Sequence, residues 1–197
     1  MNLSFLGDAL DHWKGSVFEY LQEEQTLSDF LVDPMATDAA PWDTADSKLY
    51  AHLLRMGAKQ LVQHHCNLRS ERTQYFAESP PSGDVFLDPD IGIDTGHASH
   101  GEKYVLPREL FLMMEAQKSR LVIVYQHVRG METRLRLTSV VDRLRGEGKQ
   151  FSCTSYESGT VALMFFAYVA DRTEAVRECF GRLLGAHAKG RVFHWNC

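Results

Sequence analysis

The densest chemical signal in the sequence is Asp88-Pro89-Asp90-Ile91-Gly92. Proline fixes the backbone direction, and glycine lets a ligand approach closely. Two carboxylates one residue apart suit either of two tasks. They can hold a hard cation such as magnesium or manganese, or one can take a proton while the other orients the reacting group. Asp-Pro-Asp also serves as ordinary turn chemistry. Asp33, just before Pro34, and the Gln126-His127 pair are two further polar groups that each close an apolar run. In open parallel sheets, ligands bind outside the carboxyl ends of the strands. Asp88, Pro89, Asp90 and His127 are therefore the catalytic candidates, and Asp33, Asp88 and Asp90 are the metal set if the chemistry is metal-dependent. Any strand leaving a core must also end in something polar, so the same residues have an ordinary reading.

A second group stands at the front, in Gly7-Asp8-Ala9-Leu10-Asp11-His12-Trp13-Lys14-Gly15. Asp8 or Asp11 can cap the start of a helix here, and a plain N-cap is the ordinary reading of Asp8. Asp11 and Lys14, three apart, read as a salt bridge within that helix. The adjacent His64, His65 and Cys66 point in different directions on a helix, which argues against joint ligation of a metal. His97 and His100 have zinc-like spacing but no matching third ligand nearby. Trp13, Trp42 and the Tyr75-Phe76 pair could stack bases, and core packing is the ordinary reading for each. There is no P-loop, no G-x-S-x-G elbow and no HExxH.

These residues need a scaffold, and the hydrophobic pattern describes one. Leu10, Trp13, Val17, Phe18 and Leu21 recur at helical spacing and predict a helix over 9–24. Residues 29–33 form a short buried strand. A helical pattern through Leu49, Leu53, Leu54 and Leu61 follows the Pro41 loop. Residues 84–88 form a second buried strand after the turn at Pro80-Pro81-Ser82-Gly83, with a glycine-marked mobile loop (Gly92, Gly96, Gly101) after it. Pro107 opens a helix through Leu110, Met113 and Met114. The clearest strand is 120–127, and a basic amphipathic helix with Arg134, Arg136, Arg143 and Arg145 follows. Residues 151–156 and 160–169 predict a hairpin, then a helix over 171–187 and a last strand over 191–195. Strands 84–88 and 120–127, apolar throughout, should be adjacent, central and parallel. The alternation predicts an α/β fold, a three-layer Rossmann-like sandwich with a mainly parallel sheet and a late antiparallel hairpin at one edge.

Length and composition set the outer bounds. The chain has 197 residues, 44% hydrophobic and 24% charged, which suits a single globular domain over 1–197. No apolar run approaches the roughly 20 residues of a membrane span. No basic cluster followed by an apolar core opens the chain, and the four dispersed cysteines (66, 153, 179 and 197) read as free thiols, so a cytoplasmic location is expected. Residues 1–100 carry 16 Asp and Glu against 6 Lys and Arg, and residues 101–197 carry 10 against 15. The basic half permits a nucleic-acid partner without requiring one. Oligomeric state is left open.

In layout the chain resembles class I methyltransferases, most nearly the ribosomal-RNA adenine N6-methyltransferases. That family opens with Gly-Asn-x-x-Asp-x-x-Lys, and Gly7, Asp11 and Lys14 stand at the same spacing, with Asp8 in place of asparagine. Its catalytic Asp-Pro-Pro-Tyr is matched by Asp88-Pro89, after which Asp90 and Ile91 replace the second proline and the base-stacking aromatic. The resemblance implies S-adenosylmethionine as cofactor, held through Gly7, Asp8, Asp11, Lys14 and Asp33, with Asp88 at the acceptor. The family's glycine-rich turn after the first strand is replaced by Asp33-Pro34-Met35-Ala36-Thr37, which has no glycine. Three functions remain open: a diverged methyltransferase acting on nucleic acid, a metal-dependent phosphodiesterase or nuclease, and a non-catalytic binding or regulatory protein that kept the fold.

Overall fold

The computed structural model describes residues 1–38, 42–62, 68, 72–77, 82–96, 101–130 and 132–197. The sequence readings at Pro41, His64-His65-Cys66, Pro80-Pro81, His97 and His100 lie outside those residues. No helix among the described residues is long and apolar enough to cross a membrane.

The expected front helix is α1, Ala9–Glu23. It starts where the Asp8 carboxylate accepts from the backbone N–H groups of Leu10 and Asp11, so Asp8 is the N-cap. Strand β1 is short, Leu31–Asp33, because Asp29 before it takes a positive φ of 45° and turns the chain. Helix α2, Thr44–Leu53, is closed at its start by a reciprocal Asp43–Asp46 capping box. It ends before Leu61, which bridges to β1 instead, and Leu49 faces solvent. Gly15 of α1 lies against the Leu53 carbonyl, where a Cβ would come within 2.1 Å. That close approach brings α2 beside Lys14.

Helix α3, Arg72–Ala77, precedes β2, Val85–Leu87. The glycine-marked segment contributes a two-stranded parallel sheet, β3 (Gly92–Ile93) with β4 (Tyr104–Val105). Arg72 latches this segment, pairing with Glu109 at 2.6 Å and donating to the Gly101 and Tyr104 carbonyls. Helix α4, Pro107–Ala116, opens on its proline, and β5 is Val122–His127. Arg120, expected within that strand, is a buried brace whose guanidinium donates to the Gly83 and Met113 carbonyls. Helix α5 (Thr133–Arg145), strands β6 (Ser152–Glu157) and β7 (Val161–Ala167), helix α6 (Ala170–Leu184) and strand β8 (Val192–Asn196) complete the chain.

The main sheet has the order β1-β2-β5-β7-β6-β8. Strands β1, β2 and β5 pair in parallel, with β2 and β5 adjacent and central as their apolar character requires. From β5 onward every pairing is antiparallel, yet β6 points the same way as β5, so four of the six strands share one direction. The expectation of a hairpin at the edge fails. Strand β7 folds back between β5 and β6, and β8 covers the outer side of β6. The last strand therefore supplies the edge, with its side chains only half-buried.

Side chains on successive strand residues alternate between faces. Val32, Phe86, Ile123 and Tyr125 join one core cluster with Phe18 and Leu21 of α1, Tyr50 of α2 and Phe180 of α6. Val85, Leu87, Val122 and Val124 join the other, with Tyr75 of α3, Met114 of α4 and Val141 of α5.

Candidate functional site

Two chain segments meet at the carboxyl end of β2. Helix α1 runs across the face that Phe86 occupies, and Asp88, two residues later, projects to that same face. The Lys14 ammonium lies 2.8 Å from Asp88 Oδ2 and 3.1 Å from Asp11 Oδ1. Tyr50 of α2 donates its hydroxyl to the same Asp88 oxygen. Lys14, Asp11, Asp88 and Tyr50 are all buried. The Asp11–Lys14 bridge read from sequence thus exists, and it extends to a carboxylate 74 residues away. Gly7, at φ +90°, places its N–H 2.9 Å from Asp11 Oδ2 and orients that carboxylate.

Burial works against the charge on Lys14, but Asp88 and Asp11 outweigh it and raise its pKa above the ordinary value. For Asp11 burial dominates, and its pKa rises despite Lys14. The Lys14 ammonium also sits 4.6 Å from the ring centre of Tyr125, whose hydroxyl is made less acidic by burial and by Asp88.

A pocket of about 130 Å³ opens over this cluster. Asp88, Pro89, Asp90 and His127 line it together with Asp8, Asp11 and Lys14. Asp90 accepts from the Thr37 hydroxyl at 2.9 Å and lies 3.2 Å from the Met1 ammonium. That ammonium also donates to the Met35 and Asp88 carbonyls, at 2.9 and 2.8 Å. His127 stands edge-on to Tyr125, and its buried Nδ1 has no hydrogen-bond partner among the described residues. Burial, then Arg129, lower its pKa from the ordinary value.

Asp33 does not join this pocket. Its register partner across the sheet is Leu87, not Asp88, so it projects to the opposite face. There Tyr75 and the Met35 N–H donate to Oδ1, while the buried Oδ2 has no partner among the described residues. Burial raises its pKa to about 6, and Asp88 adds only a minor contribution. Met35 takes a positive φ of 46°, a glycine-like backbone, and still carries a fully buried thioether side chain.

Gly92 also has a different role from the one its place in the motif suggests. A Cβ there would meet the Gln126 amide at 2.3 Å, so its close neighbour is Gln126, which accepts from the Ile93 N–H. Among the described residues no group of three His, Cys, Asp or Glu side chains is arranged to hold a metal ion.

Sequence reasoning missed Tyr50, Tyr125, Phe5 and Arg129. The period of two in β5 places Tyr125 on the face of His127 and was a usable signal. Tyr50 and Phe5 reach the site through tertiary packing alone. No protein-family model matches the chain, and no curated protein matches its sequence.

Proposed function

We propose that this chain is a diverged, methyltransferase-like protein of Rossmann-like, three-layer build that holds a nucleic-acid base in the acidic pocket and binds without transferring a methyl group. The observation that carries this reading is the meeting of Asp88, Pro89, Asp90 and His127 with Asp8, Asp11 and Lys14 around one pocket. The two helix sets packed against opposite faces of the sheet support the layered reading.

The resemblance puts Asp88 at the acceptor. Its side-chain hydrogen bonds from Lys14 and Tyr50 both go to Oδ2, which leaves Oδ1 to accept from a bound amino group. The buried His127 Nδ1 adds a further polar atom without a partner among the described residues.

S-adenosylmethionine, the cofactor the resemblance implies, does not fit beside Asp33. That carboxylate is sealed under Tyr75, with buried Met35 in the turn where the family has glycine. The pocket itself, at about 130 Å³, is well below the roughly 300–1,000 Å³ typical of sites for drug-sized ligands. It suits one ring system. The metal-dependent alternative is weakened because Asp88 already faces the Lys14 ammonium and Asp33 lies on the opposite face.

Calorimetric titration with S-adenosylmethionine and its demethylated product tests this. The expected result is no heat up to millimolar concentration. Micromolar affinity, about −8 kcal/mol, would overturn the binding-only reading. It would favour a second reading, an active methyltransferase that holds the cofactor at Asp33 as the resemblance implies. In that case Asp33→Ala abolishes the heat, and Asp88→Asn keeps cofactor binding but loses transfer.

A further inference from the structure

We propose that Phe5 and Arg129 seat the base that enters this pocket, Phe5 by stacking on its face and Arg129 by holding a flanking phosphate. The proposal rests on reading the pocket as a base-binding site, and it names the two residues that would deliver a single strand to it.

Phe5 is 61% exposed although it lines the pocket. Its backbone is nonetheless fixed. Residues Leu3–Phe5 form one 3-10 turn in which the Asn2 side chain accepts from the Ser4 N–H. The Leu3 N–H donates to the Asp38 carboxylate, itself held by the Trp42 indole N–H. An aromatic ring presented to water from a braced turn can stack on a planar group without the backbone having to be ordered first. The position after Pro89-Asp90 holds Ile91, which has no π-face to offer.

Arg129 is exposed, lines the same pocket, and makes no ion pair among the described residues. Among the described residues, the other charged side chains lining the pocket are Lys14 and the carboxylates of Asp8, Asp11, Asp88 and Asp90. A cation at the rim above an acidic floor matches a nucleotide that places its phosphate outside and its ring inside. The carboxylates of the floor offer acceptors, so it favours a base with an exocyclic amino group over uracil, whose one N3–H donor is flanked by two carbonyl oxygens.

The test uses a single-stranded RNA decamer of uridines with one central 2-aminopurine, whose fluorescence falls when its base stacks on an aromatic ring. The all-uridine decamer and the duplex with the complementary strand are the controls. Wild type should bind the probe strand more tightly than either control and quench its fluorescence. Phe5→Ala should keep the wild-type melting temperature, lose the quenching and bind about tenfold more weakly. Phe5→Trp should restore both. Arg129→Gln should quench fully at saturation, but with weaker binding and a log–log salt slope reduced by about one. Equal binding and quenching by Phe5→Ala, or an unchanged salt slope for Arg129→Gln, would overturn the seat alone. A wild type that fails to bind the probe, or binds the all-uridine strand equally well, would overturn the base-binding reading beneath it.

Discussion

Asp33 ends β1 and Asp88 directly follows the neighbouring parallel strand β2; both are buried and followed by proline, yet their surroundings have little in common. Asp88 is met by an ammonium and a hydroxyl and lies under a pocket. Asp33 is met by a hydroxyl and a backbone N–H, faces the opposite core cluster and keeps one oxygen without a partner among the described residues. A buried carboxylate is costly unless it is paired. The Asp88 side has been equipped to keep charge in place, whereas the Asp33 side tolerates a charge that burial discourages.

The largest expected effect comes from removing the cation that distinguishes the two. Lys14→Met would leave Asp11 and Asp88 buried and facing each other without a counter-charge. Stability should fall by about 3–5 kcal/mol, read from urea unfolding at neutral pH. Adding Asp88→Asn should recover part of that loss, because Asp11 then no longer faces a second buried carboxylate. If Lys14→Met costs under about 1 kcal/mol, within the range of exposed salt bridges, the two carboxylates do not differ as described.

A smaller effect, of opposite sign, is expected at Asp33. Its folded pKa of about 6 exceeds the ordinary 3.8, so the native state binds that proton more tightly than the unfolded chain does. Its contribution to stability is therefore most favourable below about pH 4, declines as pH rises through 6, and is level above that. Asp33→Asn keeps an acceptor for Tyr75 and Met35 and removes the charge. It should raise stability at pH 7 by about 1–3 kcal/mol, with the gain vanishing near pH 4. Thermal unfolding across pH 4–8 reads this directly. A destabilised Asp33→Asn protein at pH 7 would mean that the ionised carboxylate is used.

The smallest effect concerns divalent cations. Magnesium or manganese at Asp88 and Asp90 would have to displace the Lys14 ammonium. Millimolar metal should leave the melting temperature unchanged, whereas a bound ion at a hundred times its Kd would add about 2.7 kcal/mol. A shift that disappears in Asp90→Ala would restore the metal reading.

Much of the scaffold was legible in the sequence because local rules govern it. The Asp8 cap, the proline opening α4 and the adjacent parallel pair β2–β5 follow from capping geometry and continuous apolar character. The Asp11–Lys14 pair was legible from helical spacing, and Asp88, Pro89, Asp90 and His127 from their place at strand ends. The sequence could not reveal that Asp33 would part from them. That outcome depends on Asp33 aligning with Leu87 and not with Asp88, a one-residue matter of register fixed by pairing across 54 residues of chain. Because side chains alternate along a strand, a single step of register chooses the face, and with it the neighbours. The hairpin shows the same division. Its two strands and turn are local, but its place between β5 and β8 depends on which edges pair, and only the assembled sheet decides that. Residue types and spacings thus determined which groups stand ready at the strand ends. Tertiary packing decided which of them share a pocket, because contact between distant segments is settled by register and close helix approach, as at Gly15, and neither is written in any local run of residues.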